Sequence, residues 1–591
     1  MLNKDYICRK MFFRVLWPSM VSALALAMAN MADALVVGNR MGETGLAAIG
    51  IVTPLYMIYN VIGFAFSTGG CVTHSRLTAA GKDGAAVGNF KQMTRAVLLV
   101  SLGFAVLGIV FLDAVLKLLG AGIAQPELHR MCREYARPLL LGTPFFLMNL
   151  LLYDFVRCDD GARLASLGFS LGCFADLGLN LLFVLGLGWG VAGSAWATVL
   201  AQVISVFVIS QHFFTEKGVL NIRALRQTPV SAGSGFDVGR SVRLGLSTSA
   251  RYVFQFLILV MGNRLLLLAG KSGLINGEIY VAVFDMVINV SYLIYGLYQA
   301  FSNTMQPLAS TFAAEHGADN LRCLIRTALG VGLAIGVSAA LLITALRLPI
   351  ARLFGVKDAE ALAVAARAIP IFCLSTPFAG VTIILMGFYQ SVGKEVLASL
   401  AALFRTLVFL LPVSFRVGFF FSHEFWWIFV ISEVGALAAL MIAVRIDRKR
   451  HAGTENAVVF SAMMDQDNHE LARVLSDLER FCERQDIPAK QAMLLQLTVE
   501  ELCAVTIAKA FTGRPDEYIQ LTVAREADGD YVLHIRNSAP YFNPLTMRMD
   551  RLGAGEEDDI MESMGVMLVK SRAKELHYRN FQGFNVMTVT L

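Results

Sequence analysis

The sequence predicts an all-α polytopic membrane body of twelve transmembrane helices in two six-helix repeats, followed by a soluble α+β domain. Three observations predict it. The 591 residues are 56% hydrophobic with a mean hydropathy of +0.60, and the long apolar stretches are confined to 12–444. A chain that apolar over such a length belongs in a bilayer. The same region repeats itself: Thr143, Pro144 and Phe145 return as Thr376, Pro377 and Phe378, Leu164–Leu167 returns as Leu397–Leu400, and Phe155 falls on Phe388, all at an offset of 233 residues. The turn at Gly81–Gly84 is answered by Gly317–Asn320 at nearly the same offset, and self-similarity at a fixed period marks a repeated unit. Beyond Arg450 the composition turns polar and the periodicities become those of a soluble domain.

A transmembrane helix needs about 20 mostly apolar residues. On that measure the first half carries spans near 12–38, 45–73, 92–119, 132–155, 164–187 and 190–213, and the second near 241–269, 278–310, 323–346, 361–389, 396–420 and 425–446. The apolar N-terminus imitates a secretory signal, but its run is too long and further spans follow at once, so it reads as an uncleaved first helix. An even number of spans per half gives both halves one orientation, which implies a repeat axis along the membrane normal, a central cleft and a transporter-like plan. The domains read as 1–214 (N-lobe), 215–238 (inter-lobe linker), 239–448 (C-lobe), 449–468 (linker) and 469–591 (soluble domain). Lys and Arg gather on one side, at Lys4, Arg9, Lys10, Arg14, Arg76, Lys82, Lys91, Arg95, Lys217, Arg223, Arg226, Arg240, Arg243 and Arg445–Arg450. Both termini are therefore expected in the cytoplasm and the body in the plasma membrane. Phe419, Phe420, Phe421, Trp426 and Trp427 fit an aromatic belt at the outer interface.

Polar residues inside spans carry the chemistry. Asp33, near the far end of the first span, is the leading coupling residue, because a carboxylate in hydrocarbon is costly unless neutralised, paired or wet. Asp285 either faces the cleft or pairs with Arg251. Asp154, Arg157, Asp159, Asp160 and Arg163, on the turn after the fourth span, read as a solvated, salt-bridged loop. The nine Cys are scattered with no paired metal spacing, which points to a reducing side and neither disulfides nor a metal site. The 24 Met and 40 Phe would suit a pliable pocket for greasy cations, though most must face lipid or pack helices. Ser and Gly between Thr215 and Val238 favour a flexible connection about which two lobes could rock.

These residues resemble the multidrug and toxic compound extrusion (MATE) transporters. The resemblance lies in Asp33 with the valines and glycine after it, Leu46–Gly50 (LAAIG), the Gly-Lys-Asp-Gly turn, Gly186–Gln202 at the start of the sixth span, and Met305–Thr311 (MQPLAST). It covers about 10–448. It implies twelve spans in two lobes and export of organic cations or other amphiphiles, driven by inward flow of H+ or Na+. Carried over, Asp33 matches the family's first-span acid. Asp176 and Asn180 occupy, in exchanged order, the family's fifth-span Asn and Asp; four residues apart, they share one helix face. Where some members carry a seventh-span acid this chain has Gln255, one turn after Arg251, so proton coupling through an N-lobe site is favoured over a C-lobe sodium site.

In the soluble domain, 471–482 and 489–511 read as amphipathic helices, Ile519–Val523 and Tyr531–Ile535 as strands joined by a turn at Asp528-Gly529, and 561–575 as a helix before a last strand. The pattern resembles a GHKL-type ATPase domain of the anti-sigma-factor serine kinase branch, with Val499–Phe511 as its N-box helix, Ile535–Leu545 as its aspartate–glycine box and Met564–Arg572 as its glycine box. Glu501 keeps the catalytic acid and Gly565 could serve phosphate. Val505, however, replaces the magnesium-binding Asn, Asn537 the adenine-reading Asp, and Ala539 a Gly. Valine cannot ligate a cation that wants oxygens, and the acidic run Glu556–Asp559 repels polyphosphate. A degenerate scaffold or partner-binding domain is therefore expected in preference to a weak nucleotide sensor or an active kinase.

The leading reading is a monomeric secondary antiporter for a small amphiphilic or cationic substrate, with a passenger regulatory domain, no nucleic-acid partner and no enzymatic activity. The alternatives are a membrane-anchored signalling protein whose tail acts on a protein partner, and a lipid-linked-precursor flippase, which would need a strongly cationic cavity where only Arg251 is available.

Overall fold

The structure is a computed structural model that describes residues 5–119, 126–215, 218–229, 238–246, 249, 277–353, 359–405, 425–451, 459–514, 516–525, 529–546 and 557–591. In the first half, α1 (Tyr6–Ala79), α2 (Asp83–Val110), α3 (Leu112–Leu119), α4 (Pro126–Val156), α5 (Ala162–Asn180), α6 (Gly190–Ser210) and the short α7 (Ile222–Gln227) follow one another. The second half has α8 (Gly277–Ala314), α9 (Ala318–Ala345), α10 (Arg347–Leu353), α11 (Ala359–Ser391), α12 (Glu395–Leu403) and α13 (Trp427–His451).

A straight helix the length of α1, 74 residues, would run roughly 110 Å. Both of its ends nonetheless meet the same soluble domain: Tyr6 Oη donates to Asp516, and Asp83, just past the other end, pairs with His577. The element is therefore two antiparallel limbs, matching the two spans expected there. Likewise α4 and α5 are two crossings, because the backbone leaves helical geometry at Asp159 (φ −101°, ψ 39°) and Asp160 (φ 69°, ψ 5°) between them. Eight helices among the described residues are long and apolar enough to cross a membrane. One of these, Ala489–Ala510, is no span, since its Leu495, Val499, Leu502 and Cys503 build the core of the soluble domain. Most of the segment expected as a seventh span, 241–269, and most of that expected at 396–420 lie outside the described residues.

The repeat shows as geometry. Proline stands inside the helix at Pro138 and Pro144 of α4 and again at Pro370 and Pro377 of α11; Pro144 and Pro377 stand at the repeat offset, so both helices lose a backbone donor at the matching place. The residues just before α2 and α9 have similar backbones, Lys82 at φ −90° and ψ 59° and Gly317 at φ −78° and ψ 70°, although the echo pairs Gly317 with Gly81, which lies at φ +73°. In the second lobe Tyr298 is the central knob, lying against Gly336 of α9 and Gly380 of α11, where any Cβ would fall on its ring. Trp426 departs from the expected aromatic belt: it is 1% exposed and stacks on Tyr280 at 6.1 Å, inside the lobe. Its indole finds more apolar surface among helices than at an interface.

The soluble domain starts earlier than residue 469. Its first strand, β1 (Val459–Met464), lies in the expected linker and pairs antiparallel with β2 (Ile519–Arg525); six residues reading Val-Phe-Ser-Ala-Met-Met show no apolar–polar alternation. With β3 (Tyr531–Asn537), β4 (Glu575–Phe581) and β5 (Phe584–Thr590) it forms an antiparallel sheet of order β1-β2-β3-β5-β4. The helices α14 (Asn468–Arg484), α15 (Ala489–Ala510) and α16 (Glu557–Arg572) are its α component. Leu521, Val523, Leu533, Ile535, Met587 and Val589 meet α14–α16. The opposite face, with Gln520, His534 and Arg536, is buried too. Antiparallel sheets commonly leave one face to water; this one lays it on the membrane body.

Gly380→Val should drive a branched side chain into the Tyr298 ring and cost about 1–3 kcal/mol. The measurement is the melting temperature of the purified protein, which should fall, whereas Gly330→Ala, inside α9 with no atom near the added carbon, should hold it or raise it slightly.

Candidate functional site

Two polar sites and one nucleotide-domain frame emerge. In the N-lobe, Asp176 and Asn180 are buried on one face of α5, and Asn180 Nδ2 donates to Asp176 Oδ1 at 3.3 Å. The helical repeat that places them one turn apart also turns them together toward α6, whose Thr198 reaches the Asp176 carboxylate. The side chains of Asp33 and Asp285, and the whole of Arg251 and Gln255, lie outside the described residues.

The second site is a seal between the lobes, on the face that carries the soluble domain. Arg157, fully buried, donates to Asp154 Oδ1 at 2.7 Å and to Gln306 Oε1 of α8 in the other lobe. Asp154 also accepts from Ser67 at 2.6 Å, and Gln306 Nε2 donates to Thr68 at 3.5 Å. Next to it, Gly69 lies against the Ser241 carbonyl and Gly245 against the Ala65 carbonyl, so closely that no Cβ fits at either. Arg76 adds a hydrogen bond to the Ser391 carbonyl at 3.0 Å.

Asp154, Arg157 and Asp159 are thus buried rather than forming a solvated loop. The π-turn at Arg157–Gly161 folds them inward, where they find partners distant in sequence. Asp159 accepts from His74 (3.1 Å), His212 (2.9 Å) and the backbone N–H groups of Val219 (2.9 Å) and Leu220 (2.8 Å). Burial by itself pushes its carboxyl up, but the hydrogen bonds and charge of His212 and His74 outweigh that and leave it below the usual carboxylate range. Gly218, at φ +78° and with its Cα against Asp159, is the residue that lets the inter-lobe segment approach this carboxylate.

In the soluble domain the expected helices and strands bring the singled-out residues into the following places. Glu501 of α15 packs directly on Gly565 of α16, where a Cβ would fall on its carboxylate. Val505 is 1% exposed in the core and offers no oxygen. Asn537 is committed to neighbours, accepting from Asn585 Nδ2 at 2.9 Å and from the Ala539 N–H at 3.3 Å. Gly553, Gly555 and Glu556 of the acidic loop lie outside the described residues. Among the described residues no group of three His, Cys, Asp or Glu side chains could hold a metal ion.

Sequence reasoning missed Gln306 as a partner of Arg157, and Glu315, Asp83, Gln520, Arg536, His577 and Arg579 as docking residues. The one available signal was polar side chains alternating with apolar ones on β2 and β3, which reads equally well as a wet sheet face.

A body of two helical lobes, joined by small-residue and polar contacts on one face, defines a polytopic membrane transporter. The MatE family profile matches residues 18–184 and 253–415, and the chain belongs to that family. The profile of the histidine kinase-like ATPase domain matches 464–591. Among solved structures, one described as an outward-facing conformation of a multidrug resistance MATE family transporter of the MOP superfamily is 21% identical, with a TM-score of 0.66 over 77% of this chain and 100% of its own. A mutant MATE transporter of Vibrio cholerae is 17% identical, with a TM-score of 0.68 over 76% of this chain and 99% of its own. A MOP superfamily transporter of Pyrococcus furiosus, described as having a binding pocket of reverse polarity, is 20% identical, with a TM-score of 0.65 over 76% and 99%. No curated protein matches the chain.

His534 is buried beside Thr588, and burial lowers its pKa to about 4 against the pull of Glu315. An unfolded histidine titrates near about 6.5. Between these values the unfolded chain takes up a proton that the folded domain refuses, so stability falls as pH drops through that window. Asp160 has the opposite sign: burial raises its carboxyl to about 6 while the Gln582 N–H and Arg14 oppose, so the folded state protonates first and gains stability as pH falls through that value. His534→Gln should make the acid-side fall in melting temperature shallower and Asp160→Asn should make it steeper, as read in melts of the full chain between about pH 7 and 5.

Proposed function

We propose that the chain is a secondary active exporter of small amphiphilic or cationic molecules that works by alternating access between its lobes and is driven by inward flow of protons. The observation that carries the reading is the buried Asp176 carboxylate bonded to Asn180, in a lobe whose contact with its partner lobe is a separable polar seal. A carboxyl group inside a span is a natural place to load and release a proton, because the charged form there needs water or a counter-charge. When the lobes rock, that access changes sides, and protonation of the carboxylate opposes binding of a cationic substrate at the same site. Asp33 belongs to the same site in this reading. Sodium is the alternative coupling ion. Both termini are placed in the cytoplasm of a plasma-membrane protein by the distribution of Lys and Arg, and the protein works as a monomer.

The C-terminal domain, in this reading, transfers no phosphate: the magnesium-binding position is a core valine, and the Asn537 amide is occupied by Asn585. Its role is to act on the transporter or a protein partner by contact.

Two measurements test this. Cells expressing the protein should export a fluorescent organic cation under an imposed pH gradient, and Asp176→Asn or Asp33→Asn should lower the rate at least about tenfold, the scale expected for loss of an obligatory proton site. Export that both variants leave intact would remove proton coupling from the N-lobe. The purified full chain should show no magnesium-dependent ATP hydrolysis above background; turnover abolished by Glu501→Gln would overturn the non-catalytic reading of the tail.

A further inference from the structure

The outer face of the soluble sheet touches both lobes, and the two sets of contacts differ in kind. On the C-lobe side, Glu315 at the end of α8 accepts from Arg536 Nη2 at 2.6 and 2.8 Å and from Arg579 at 3.4 Å, with the Glu315 and Arg536 side chains only 3% and 4% exposed. Arg536 also lies over the Phe312 ring at 5.0 Å. Asn320 and Gln520 exchange amide hydrogen bonds of 3.1 and 2.7 Å beside it. On the N-lobe side, His577 meets Asp83 at 3.1 Å with side chains 25% and 37% exposed, and Asp160 accepts from the backbone N–H of Gln582. His577 and Arg579 stand two residues apart on β4, so they share one face of the strand. One reaches the N-lobe and the other the C-lobe. The strand therefore lies across the seam that Arg157 and Gln306 close, and the lobes cannot part there without breaking one of the two attachments.

Strength decides which attachment breaks. A buried carboxylate shared by two arginines is costly to separate, since each charge would be left uncompensated, whereas the N-lobe side offers one His–Asp pair with side chains 25% and 37% exposed and one backbone hydrogen bond, which is less to break. We propose that the C-terminal domain is an inter-lobe latch: anchored to the C-lobe through Glu315, it holds the domain-side seam shut through His577–Asp83 and Gln582–Asp160, and the seam opens only when the N-lobe half lets go. This rests on the alternating-access reading above and adds the element that governs it. A cavity of about 630 Å³, lined in part by Asp83, Asp160, Tyr541, His577 and Arg579, lies at the releasable half.

The chain carries its own probes of the seam. Cys71 and Cys158 are 0% and 2% exposed, with their sulfurs 2.9 Å apart and Cys71 4.0 Å from Gln306 Oε1. In the pre-reduced full chain, alkylation of these two thiols by N-ethylmaleimide, located by peptide mass, reads how often the seam opens. His577→Ala should raise that rate at least about fivefold, the lower range of coupling between linked sites. The exchange Asp83→His with His577→Asp should return it close to the wild-type rate. An unchanged rate in His577→Ala overturns the latch, and so does a charge exchange that alkylates as fast as the alanine variant, because general loosening would not be rescued. The alkylation needs no substrate. Accelerated labelling in a protein that exports nothing would thus defeat the transport reading alone, and export with an indifferent seam would defeat the latch alone.

Discussion

Glu315 is the point on which the two parts of the molecule hang together. A carboxylate removed from water is tolerable only when its partners are complete, and here they are Arg536 and Arg579, supplied by two strands that are not neighbours in the sheet. Because the pair is buried, its geometry fixes which way the sheet faces and therefore which residues of β4 reach the N-lobe. The sheet is then enclosed on both sides, by its own helices and by the membrane body, with Phe584 and Val586 packed in the same core as Phe312 and Leu308. The histidine kinase-like ATPase frame rests on the hydrophobic face that the sheet turns to its own helices.

The seal between the lobes is built differently from a hydrophobic core. Its close contacts are glycine against carbonyl, at Gly69 with Ser241 and Gly245 with Ala65, and its charged groups are tied down by hydrogen bonds, Arg157 to Asp154 and Gln306 and Arg76 to the Ser391 carbonyl. Backbones approach closely where side chains are absent, and packing in a bilayer rests on such surfaces. Elsewhere the lobes meet through apolar side chains, with Ile7, Met11, Phe12 and Val15 of α1 in one core with Phe301, Met305 and Leu308 of α8.

Much of the fold was legible because it depends on local pattern. The repeat at Thr143 and Thr376 predicted matching helices, and the internal prolines of α4 and α11 supply the physical reason the match persists. The alternation in β2 and β3 was readable, as was the one-turn spacing of Asp176 and Asn180. What failed depended on partners distant in the chain. The acids and arginine after the fourth span looked solvated because nothing nearby announces His74, His212 or Gln306. Trp426 looked interfacial because its neighbour in space, Tyr280, is far off in sequence. The wet-looking face of the sheet gave no hint of Glu315, since a polar strand face reads the same whether it meets water or another polar surface.

The hydrogen bond from Tyr6 to Asp516 joins residues 510 positions apart. At ribosomal speeds of about 5–20 residues per second, the first helix waits roughly 25 to 100 seconds for its partner to be synthesised. The beginning of the chain must therefore enter the bilayer and pack with its own lobe while part of its final surroundings does not yet exist. Completion of this end of the molecule is a post-translational event, and an extension fused near Tyr6 would disturb the last domain to fold while leaving the first lobe's assembly alone.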